Sequence, residues 1–327
     1  MMKPSWLETR RRIVGGSEVA ALFDDVPEDC PYSSRWQLWA EKRGMLPRRT
    51  ETDPMKWGKR HEAAITQAAR EDWCVQVVDW LNVSREDFTP AAFVDVIDTD
   101  NGFLLTHGCG LGGTPDGLIA VGDAVWVFER KTVSSWAWQA WGGKLPASYR
   151  LQGQVYCGLL DLPGVVYAVL VGGNQLVRFE VEADPRAFAG ICAEVAKFWS
   201  EVRDGVEPAI RAADYDAVAS WYNSLELPDD DKKAKPVPLD TPESQSWFEA
   251  FGRADAKYQA AKAAYDEAED ERKKALADGM RLFGAHRRVS IAGRTFTRVQ
   301  VAPKPERMEL RKASEGYAYV LAGKVKG

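Results

Sequence analysis

The feature that most constrains the fold is a tight turn followed by a predicted β-hairpin near the middle of the chain. The Thr-Pro-Asp-Gly sequence at 114–117 is typical of a turn, because proline pre-sets φ and glycine closes it. Residues 118–121 predict a strand, Gly122-Asp123 the hairpin tip, and residues 125–131 a mostly apolar return strand. The hairpin can therefore bring Asp116 beside the end of a buried strand.

Glu129 and Lys131 are two residues apart on the return strand, so both side chains leave the same face of the sheet. Both are costly to bury unless each has a partner. If Asp116 lies nearby, two carboxylates repel one another, and a divalent cation with oxygen ligands, Mg²⁺ or Mn²⁺, relieves that repulsion. Lys131 can then hold a water molecule for attack on phosphorus. The combination favours a metal-dependent nuclease site over the simpler interpretation of a turn, a hairpin and a salt bridge.

Composition excludes several other classes of protein. The chain has 327 residues, 45% of them hydrophobic, which suffices for one elaborated domain or one domain with an appendage. No apolar run approaches the ~20 residues of a membrane span, and no signal-peptide pattern begins the chain, so we expect a cytoplasmic protein. The five cysteines are scattered without a Cys-x-x-Cys pair, which argues against zinc sites, disulfides and iron–sulfur clusters.

The net charge of −5 is unevenly distributed along the chain. Residues 1–60 carry +3 and residues 281–327 carry +8, which leaves −16 on residues 61–280. Basic ends around an acidic middle permit local phosphate binding despite the acidic total. An unevenly charged but merely solvated surface is the alternative.

Hydrophobic periodicity and capping residues predict the elements around the hairpin. Ser17 is expected to cap a short helix through Phe23, and the glycine-rich residues 109–113 are expected to turn sharply into Thr114. The first core strand lies either at 92–97 or at 102–106. Predicted helices cover 34–43, 55–69, 148–159 with Ser148 as its cap, and 185–204; a second hairpin joins 165–170 to 176–181.

The C-terminal third has a different pattern. Residues 223–244 are rich in proline and charge, which is typical of a linker. A long helix is predicted from Thr241 to about Phe283, with a heptad-like seam that could pack on the core, on a partner helix or on another subunit. Residues 288–301 predict a basic hairpin.

The residues described so far resemble the PD-(D/E)xK nuclease superfamily, and the flanking pieces are similar to its phage lambda-type exonuclease branch, the YqaJ-like viral recombinases. Those pieces are Arg10-Arg11-Arg12 with the Gly-Gly-Ser-Glu sequence at 15–18, Trp57-Gly58 before Glu62, Gln152 with Gln154, and the late turn at 171–174. The resemblance covers roughly residues 10–208. It implies a restriction-endonuclease-like α/β or α+β core, a mixed central sheet flanked by helices, at 1–222. A linker at 223–244 and an accessory long helix with a small β-hairpin at 245–327 would follow.

The resemblance also implies roles for particular residues. Asp116, Glu129 and the backbone carbonyl of Arg130 would hold Mg²⁺, or Mn²⁺, and Glu62 would assist a second metal or position the substrate phosphate. Lys131 would orient the attacking water, and an active-site glutamine would bond the lysine or the nucleophile. Because residues two apart on a helix point about 200° apart, only one glutamine can face the site; Gln154 is preferred and Gln152 is the alternative. The expected binding residues for the DNA 5′-phosphate are Ser17, Thr114 and either Arg11 or Arg12.

The implied activity is 5′ to 3′ digestion of double-stranded DNA from its ends, which leaves 3′ single strands for phage-type recombination. A ring-shaped trimer and a single-strand annealing protein as partner follow from the resemblance alone. The alternatives are an endonuclease or a repair- or CRISPR-type nuclease of the same fold. A further alternative, of a different class, is a non-catalytic DNA-binding protein that uses the basic tail and the long helix.

Overall fold

The computed structural model describes residues 5–23, 34–46, 52–86, 88–99, 102–225, 238–283, 286, 288–291 and 294–297. Strands in these ranges are β1 (Val14–Gly15), β2 (Val77–Asp79), β3 (Val94–Thr99), β4 (Gly102–His107), β5 (Leu111–Gly113), β6 (Gly117–Val121), β7 (Ala124–Val133), β8 (Gly164–Val171), β9 (Gln175–Glu182), β10 (Arg288–Ile291) and β11 (Arg294–Thr297). Helices are α1 (Trp6–Arg10), α2 (Arg35–Lys42), α3 (Asp53–Asp72), α4 (Ser135–Trp141), α5 (Ala147–Leu160), α6 (Pro185–Asp204), α7 (Tyr215–Ser224) and α8 (Pro242–Phe283).

The central sheet has five strands in the order β2-β6-β7-β8-β9. Strands β7 and β8 are parallel, and every other neighbouring pair is antiparallel, so the sheet is mixed. The predicted hairpin is confirmed, with its tip at Gly122, where φ is +58° and a side chain would be strained. The second predicted hairpin is confirmed as β8 and β9.

Helices cover both faces of this sheet, and strand alternation divides the side chains of β7 between them. On one face, Ile65 and Ala69 of α3 pack with Phe128. On the other, α5 packs with a core that includes Val127 and Tyr167. Glu129 and Lys131 therefore share the α5 face, whereas the side chain of Arg130 lies on the α3 face. The expected mixed sheet flanked by helices is confirmed.

A second sheet has four strands in the order β1-β5-β4-β3. Both candidates for the first core strand form strands here, as β3 and β4, so neither is the first strand of the central sheet. That place belongs to β2, which pairs with residues 117–119, about forty positions away. Residues 111–113 form strand β5 rather than a simple turn, because they pair with both β1 and β4.

Helix starts are partly as predicted. Asp184 caps α6, accepting hydrogen bonds from the backbone amides of Arg186 and Ala187. Ser17 does not cap a helix, because the turn that follows is a short 3₁₀ helix, Val19–Leu22, with Glu18 at its N-cap. Ser148 lies inside α5, whose N-cap is Pro146.

The chain divides into two compact units, with the boundary between Glu226 and Leu227. The second unit contains α8 and the antiparallel pair β10 and β11, as predicted. Residues 226–237 of the proposed linker and residues 298–327 of the accessory region lie outside the described residues. No helix in the described part of the chain combines the length and hydropathy that crossing a bilayer requires.

Candidate active site

The hairpin of β6 and β7 builds the centre of the site. Gly117 pairs with Phe128, which places Asp116 beside the Glu129–Lys131 end of β7. The backbone amide of Arg130 donates to Asp116 Oδ2 at 2.8 Å, and the backbone amide of Asp116 donates to Glu129 Oε1 at 3.2 Å. These two bonds hold both carboxylates in place beside one another.

The Glu129 side chain is buried, with 1% of its surface exposed. Its Oε2 accepts hydrogen bonds from Lys131 Nζ at 2.8 Å and from Gln152 Nε2 at 3.0 Å. Burial first, and then the negative charge of Asp116, raise the pKa of Glu129 to about 7 despite these donors. Burial alone would lower the pKa of Lys131, but the charges of Glu129 and Asp116 outweigh it and raise that pKa above its ordinary value. Lys131 therefore stays protonated.

The donor set fits a hard divalent cation. Asp116 and Glu129 offer carboxylate oxygens, and the raised pKa of Glu129 shows that its negative charge is undercompensated where it lies. An added cation between the two acids would favour both charged forms. Oxygen ligands of this kind suit Mg²⁺ or Mn²⁺ rather than soft metals.

Arg130 organises the opposite face of β7. Its Nη1 donates to Asp79 Oδ1 at 2.7 Å and to Thr66 Oγ1 at 3.0 Å, and its Nη2 lies 3.6 Å from Glu62 Oε2. Glu62 is thus brought to the site through Arg130. Burial raises the pKa of Glu62, and the acids Asp116 and Asp79 add to this effect, whereas Arg130 opposes it. The role of Glu62 at a second metal stays a prediction.

The predicted phosphate-binding residues flank strands β1 and β5 of the second sheet. Arg10 Nη2 donates to Ser17 Oγ at 3.0 Å, whereas Arg11 and Arg12 are exposed on the following turn. The structure therefore places Arg10, rather than Arg11 or Arg12, beside Ser17. Thr114 Oγ1 donates to the carbonyl of Phe103 at 3.4 Å.

Tyr156 connects the Gly15–Ser17 segment to the acids. Its ring packs so closely on the backbone of Gly16 that an added Cβ there would lie 3.0 Å from the ring. Its hydroxyl lies 3.5 Å from Gln152 Nε2, the same nitrogen that donates to Glu129. A side chain at position 16 would crowd this contact, which brings the Gly15–Ser17 segment to the edge of the acidic site.

The preference for Gln154 as the glutamine that faces the site is wrong, because Gln152 and not Gln154 contacts Glu129. Gln154 Nε2 donates to the carbonyl of Glu182 at 2.8 Å, and its Oε1 accepts from the amide of Asp184 at 2.7 Å. Gln154 thus ties α5 to the end of β9, while Gln152 faces Glu129. The sequence carried a usable signal, because Tyr149, Gln152 and Tyr156 recur at spacings of three and four and define one helix face.

Two residues at the site were not anticipated. Arg10 was not predicted, because it reaches Ser17 through the path of α1 and the turn after it, which the sequence does not reveal. Asp79, at the end of β2, was missed because its pairing with β6 is distant in sequence. No local pattern marks either residue.

Residues 5–159 match the family model of the YqaJ-like viral recombinase domain. This part of the chain is similar to the YqaJ-like viral recombinases. The resemblance predicted from the sequence is thereby confirmed, and every candidate residue named above except Asp184 and Glu182 falls within the matched residues.

The chain is also similar to individual proteins. The uncharacterized protein YqaJ of Bacillus subtilis (strain 168) is 26% identical over 214 residues, which are 64% of this chain. The match covers 60% of the length of that curated relative. Among solved structures, the alkaline exonuclease of Laribacter hongkongensis is 21% identical with a TM-score of 0.45, covering 62% of this chain and 93% of that one. The structure of the same enzyme in complex with dAMP is 19% identical with a TM-score of 0.43, and the match covers 61% of this chain and 92% of that one.

Proposed function

We propose that this YqaJ-like protein is a Mg²⁺-dependent exonuclease that digests double-stranded DNA from its ends in the 5′ to 3′ direction. Mn²⁺ is the expected substitute metal, and the product would be a 3′ single strand for phage-type recombination. The observation that carries the proposal is the convergence of Asp116, Glu129 and Lys131 within 116–131 of the YqaJ-like domain.

Each residue has a role that its contacts support. Asp116 and Glu129, with the carbonyl of Arg130, would hold the metal, which supplies Lewis-acid polarisation of the phosphodiester. Lys131 would orient the attacking water through its ammonium group, since its pKa is raised and it remains a donor. Gln152 would fix the orientation of the Glu129 carboxylate. Glu62 would assist a second metal from α3.

The DNA end would be held by Arg10, Ser17 and Thr114. A guanidinium and two hydroxyls are suitable donors for the 5′-phosphate, and Tyr156 keeps this region against the acids. Arg10→Ala should weaken digestion of 5′-phosphorylated ends and leave 5′-hydroxyl ends little changed, while Arg12→Ala, on an exposed neighbour, serves as the matched control. Equal loss with both variants would contradict this assignment of Arg10.

A single assay tests the activity. Linear and covalently closed circular duplex DNA are incubated with the protein, with and without Mg²⁺, and mononucleotide release is measured. We expect degradation of linear DNA only, and only with the metal. Cleavage of the closed circle would instead select an endonuclease, and binding without hydrolysis would select a DNA-binding protein. Lys131→Ala should abolish release, and Lys197→Ala, on the exposed side of α6, should not.

The biological setting is part of the proposal. A cytoplasmic protein, a trimer around the DNA and a single-strand annealing partner are the arrangement that such an end-resecting activity would use. Size-exclusion chromatography with light scattering, followed by pull-down with a purified annealing protein, would test both associations.

A further inference from the structure

Three soft metal ligands meet away from the acidic site. His107 ends β4, Cys109 lies in the turn to β5, and Cys192 lies on α6. One ligand atom of each lies within 4.8 Å of the other two, and all three residues are half-buried. Within the described part of the chain, this is the group of three histidine, cysteine or acidic side chains whose ligand atoms lie this close together.

The distances suit a tetrahedral ion. With Zn–N near ~2.0 Å and Zn–S near ~2.3 Å, tetrahedral angles require N···S separations of about 3.5 Å. His107 Nδ1 lies 3.1 Å from Cys109 Sγ and 4.0 Å from Cys192 Sγ, values on either side of that separation. A shift of a few tenths of an ångström in each thiol would complete the geometry.

The imidazole presents the correct nitrogen. His107 Nδ1 accepts a hydrogen bond from the backbone amide of Cys109 at 3.2 Å, so it is the unprotonated nitrogen, and a bound ion would take the place of that hydrogen bond. The ring of Phe188 stands edge-on against the imidazole, with centroids 5.9 Å apart, and limits its rotation. The histidine therefore offers an unprotonated nitrogen close to both thiols.

The two elements that carry the cysteines are also fixed relative to each other. Trp199 Nε1 donates to the carbonyl of Gly110 at 3.0 Å. Gly110 has φ of +87°, and an added Cβ there would lie 2.5 Å from the Trp199 ring. Because Trp199 and Cys192 are seven residues apart, they share one face of α6. The helix thus holds the turn through one residue and presents a thiol to it through the other.

From this geometry we propose that His107, Cys109 and Cys192 form a binding site for Zn²⁺ or a similarly soft divalent cation, with water as the fourth ligand. The ion would fasten the turn between β4 and β5 to α6. Cys192 lies beyond residues 5–159, so the site would join the YqaJ-like domain to the helix that follows it. Carboxylate sites prefer hard cations, and the two sites would therefore bind different metals.

Cobalt substitution tests the site directly. The full chain, reduced and freed of metal, is titrated with Co²⁺, and thiolate-to-cobalt charge-transfer absorption is recorded, because that absorption requires sulfur ligands. We expect one Co²⁺ per chain with this absorption, displaced by Zn²⁺. Cys109→Ser and Cys192→Ser should each weaken binding at least tenfold. Cys74→Ser, at an exposed cysteine elsewhere, and Glu129→Gln, in the acidic site, should leave the absorption unchanged.

A second measurement on the unaltered chain avoids any dependence on the folding of variants. Zn²⁺ should slow the alkylation of Cys109 and Cys192 by iodoacetamide, measured by peptide mass spectrometry, without slowing that of Cys74. Absence of thiolate absorption in the reduced chain, or its persistence in the Cys109→Ser Cys192→Ser double variant, would overturn the proposal. If the chain isolated without reductant contains a Cys109–Cys192 disulfide and the reduced chain binds no Co²⁺, the two cysteines form a redox pair and the metal-site proposal is overturned.

Discussion

Two buried glutamate–lysine pairs in the same domain behave in opposite ways. Glu129 and Lys131 are joined at 2.8 Å, as are Glu18 and Lys42. Both glutamates also accept neutral hydrogen bonds: Glu129 from Gln152 at 3.0 Å and from the amide of Asp116 at 3.2 Å, and Glu18 from the amide of Gly15 at 2.9 Å. Yet the pKa of Glu129 is raised to about 7, whereas that of Glu18 is lowered.

A third charged group near each pair accounts for the opposite pKa shifts of the two glutamates. Burial raises the pKa of both carboxyls, but Glu129 faces the acid Asp116, whereas Glu18 faces a second cation, Arg10, whose Nε lies 3.8 Å away. The Glu18 cluster is complete without any ligand. The Glu129 cluster has too much negative charge for its burial, which is the property expected of a cation-binding site. A buried ion pair indicates function only when its surroundings leave a charge uncompensated.

The largest expected effect separates the two glutamates by activity. Glu129→Gln should reduce kcat on 5′-phosphorylated linear DNA about 1,000-fold, the upper range for loss of one preorganised electrostatic group. Its stability should fall less than that of Glu18→Gln, because Asp116 still faces Lys131. Initial rates and thermal unfolding of the same samples provide both numbers. Glu182→Gln, an exposed residue on β9, is the control, and near-normal activity in Glu129→Gln would refute the assignment.

The second effect concerns stability. Glu18→Gln leaves the Lys42 ammonium buried without its counter-ion and should cost about 3 kcal/mol of unfolding free energy. The double variant Glu18→Gln Lys42→Met should recover much of that loss, because it removes the unpaired charge as well. Urea denaturation at constant pH measures the three proteins. If the single variant is as stable as the parent, the pair is not the structural element described here.

Acid should reproduce the Glu18 effect in the unaltered chain. Folding lowers the pKa of Glu18 below its ordinary value of 4.5, so its contribution is present above pH 4.5 and is lost as the pH falls through the folded-state pKa. The stability of Glu18→Gln should therefore decrease less steeply in acid than that of the parent. Parallel curves for the two proteins would show that Glu18 does not contribute in this way.

Much of the Glu129 cluster could be predicted from sequence, because Asp116, Glu129 and Lys131 belong to one local hairpin. The hairpin needs only a turn and alternation to be recognised. Helices with clear periodicity were also predicted well: α3 was expected at 55–69 and spans Asp53–Asp72. The long helix was expected to end at about Phe283 and does so.

Contacts between distant segments could not be predicted. The pairing of β2 with β6 and that of β1 with β5 involve strands of two to five residues, which are too short to carry a distinctive pattern. Scattered cysteines argued against a metal site, yet Cys192 meets His107 across 85 positions. Spacing in sequence excludes only those sites whose ligands come from a single local segment.

The third effect is stabilisation by metal. Mg²⁺ that binds only the folded state should stabilise the parent by about 2.7 kcal/mol at a concentration 100-fold above its Kd. Glu18→Gln, once folded, should show the same Mg²⁺-dependent rise in Tm, because its substitution lies outside the acidic site. Glu129→Gln should show little or none. Thermal unfolding with and without Mg²⁺ distinguishes the two, and a full Mg²⁺ shift in Glu129→Gln would place the metal elsewhere.

The smallest effect sharpens the comparison to one hydrogen bond. Gln152 donates to Glu129 at 3.0 Å and so restrains an acid that must stay aligned for a metal, whereas Gln154 bonds only backbone groups of Glu182 and Asp184. Gln152→Ala should reduce kcat about tenfold, the equivalent of roughly 1.4 kcal/mol for one bond to a charged group. Gln154→Ala should leave kcat nearly unchanged and cost about 1 kcal/mol of stability, because it frees two backbone groups.

The variant Gln152→Glu places a third acid beside Asp116 and Glu129, and it should be less active than Gln152→Ala. If Gln154→Ala lost activity while Gln152→Ala kept it, the glutamine preferred from sequence would be the functional one, and α5 would have to present its opposite face to the acids during catalysis.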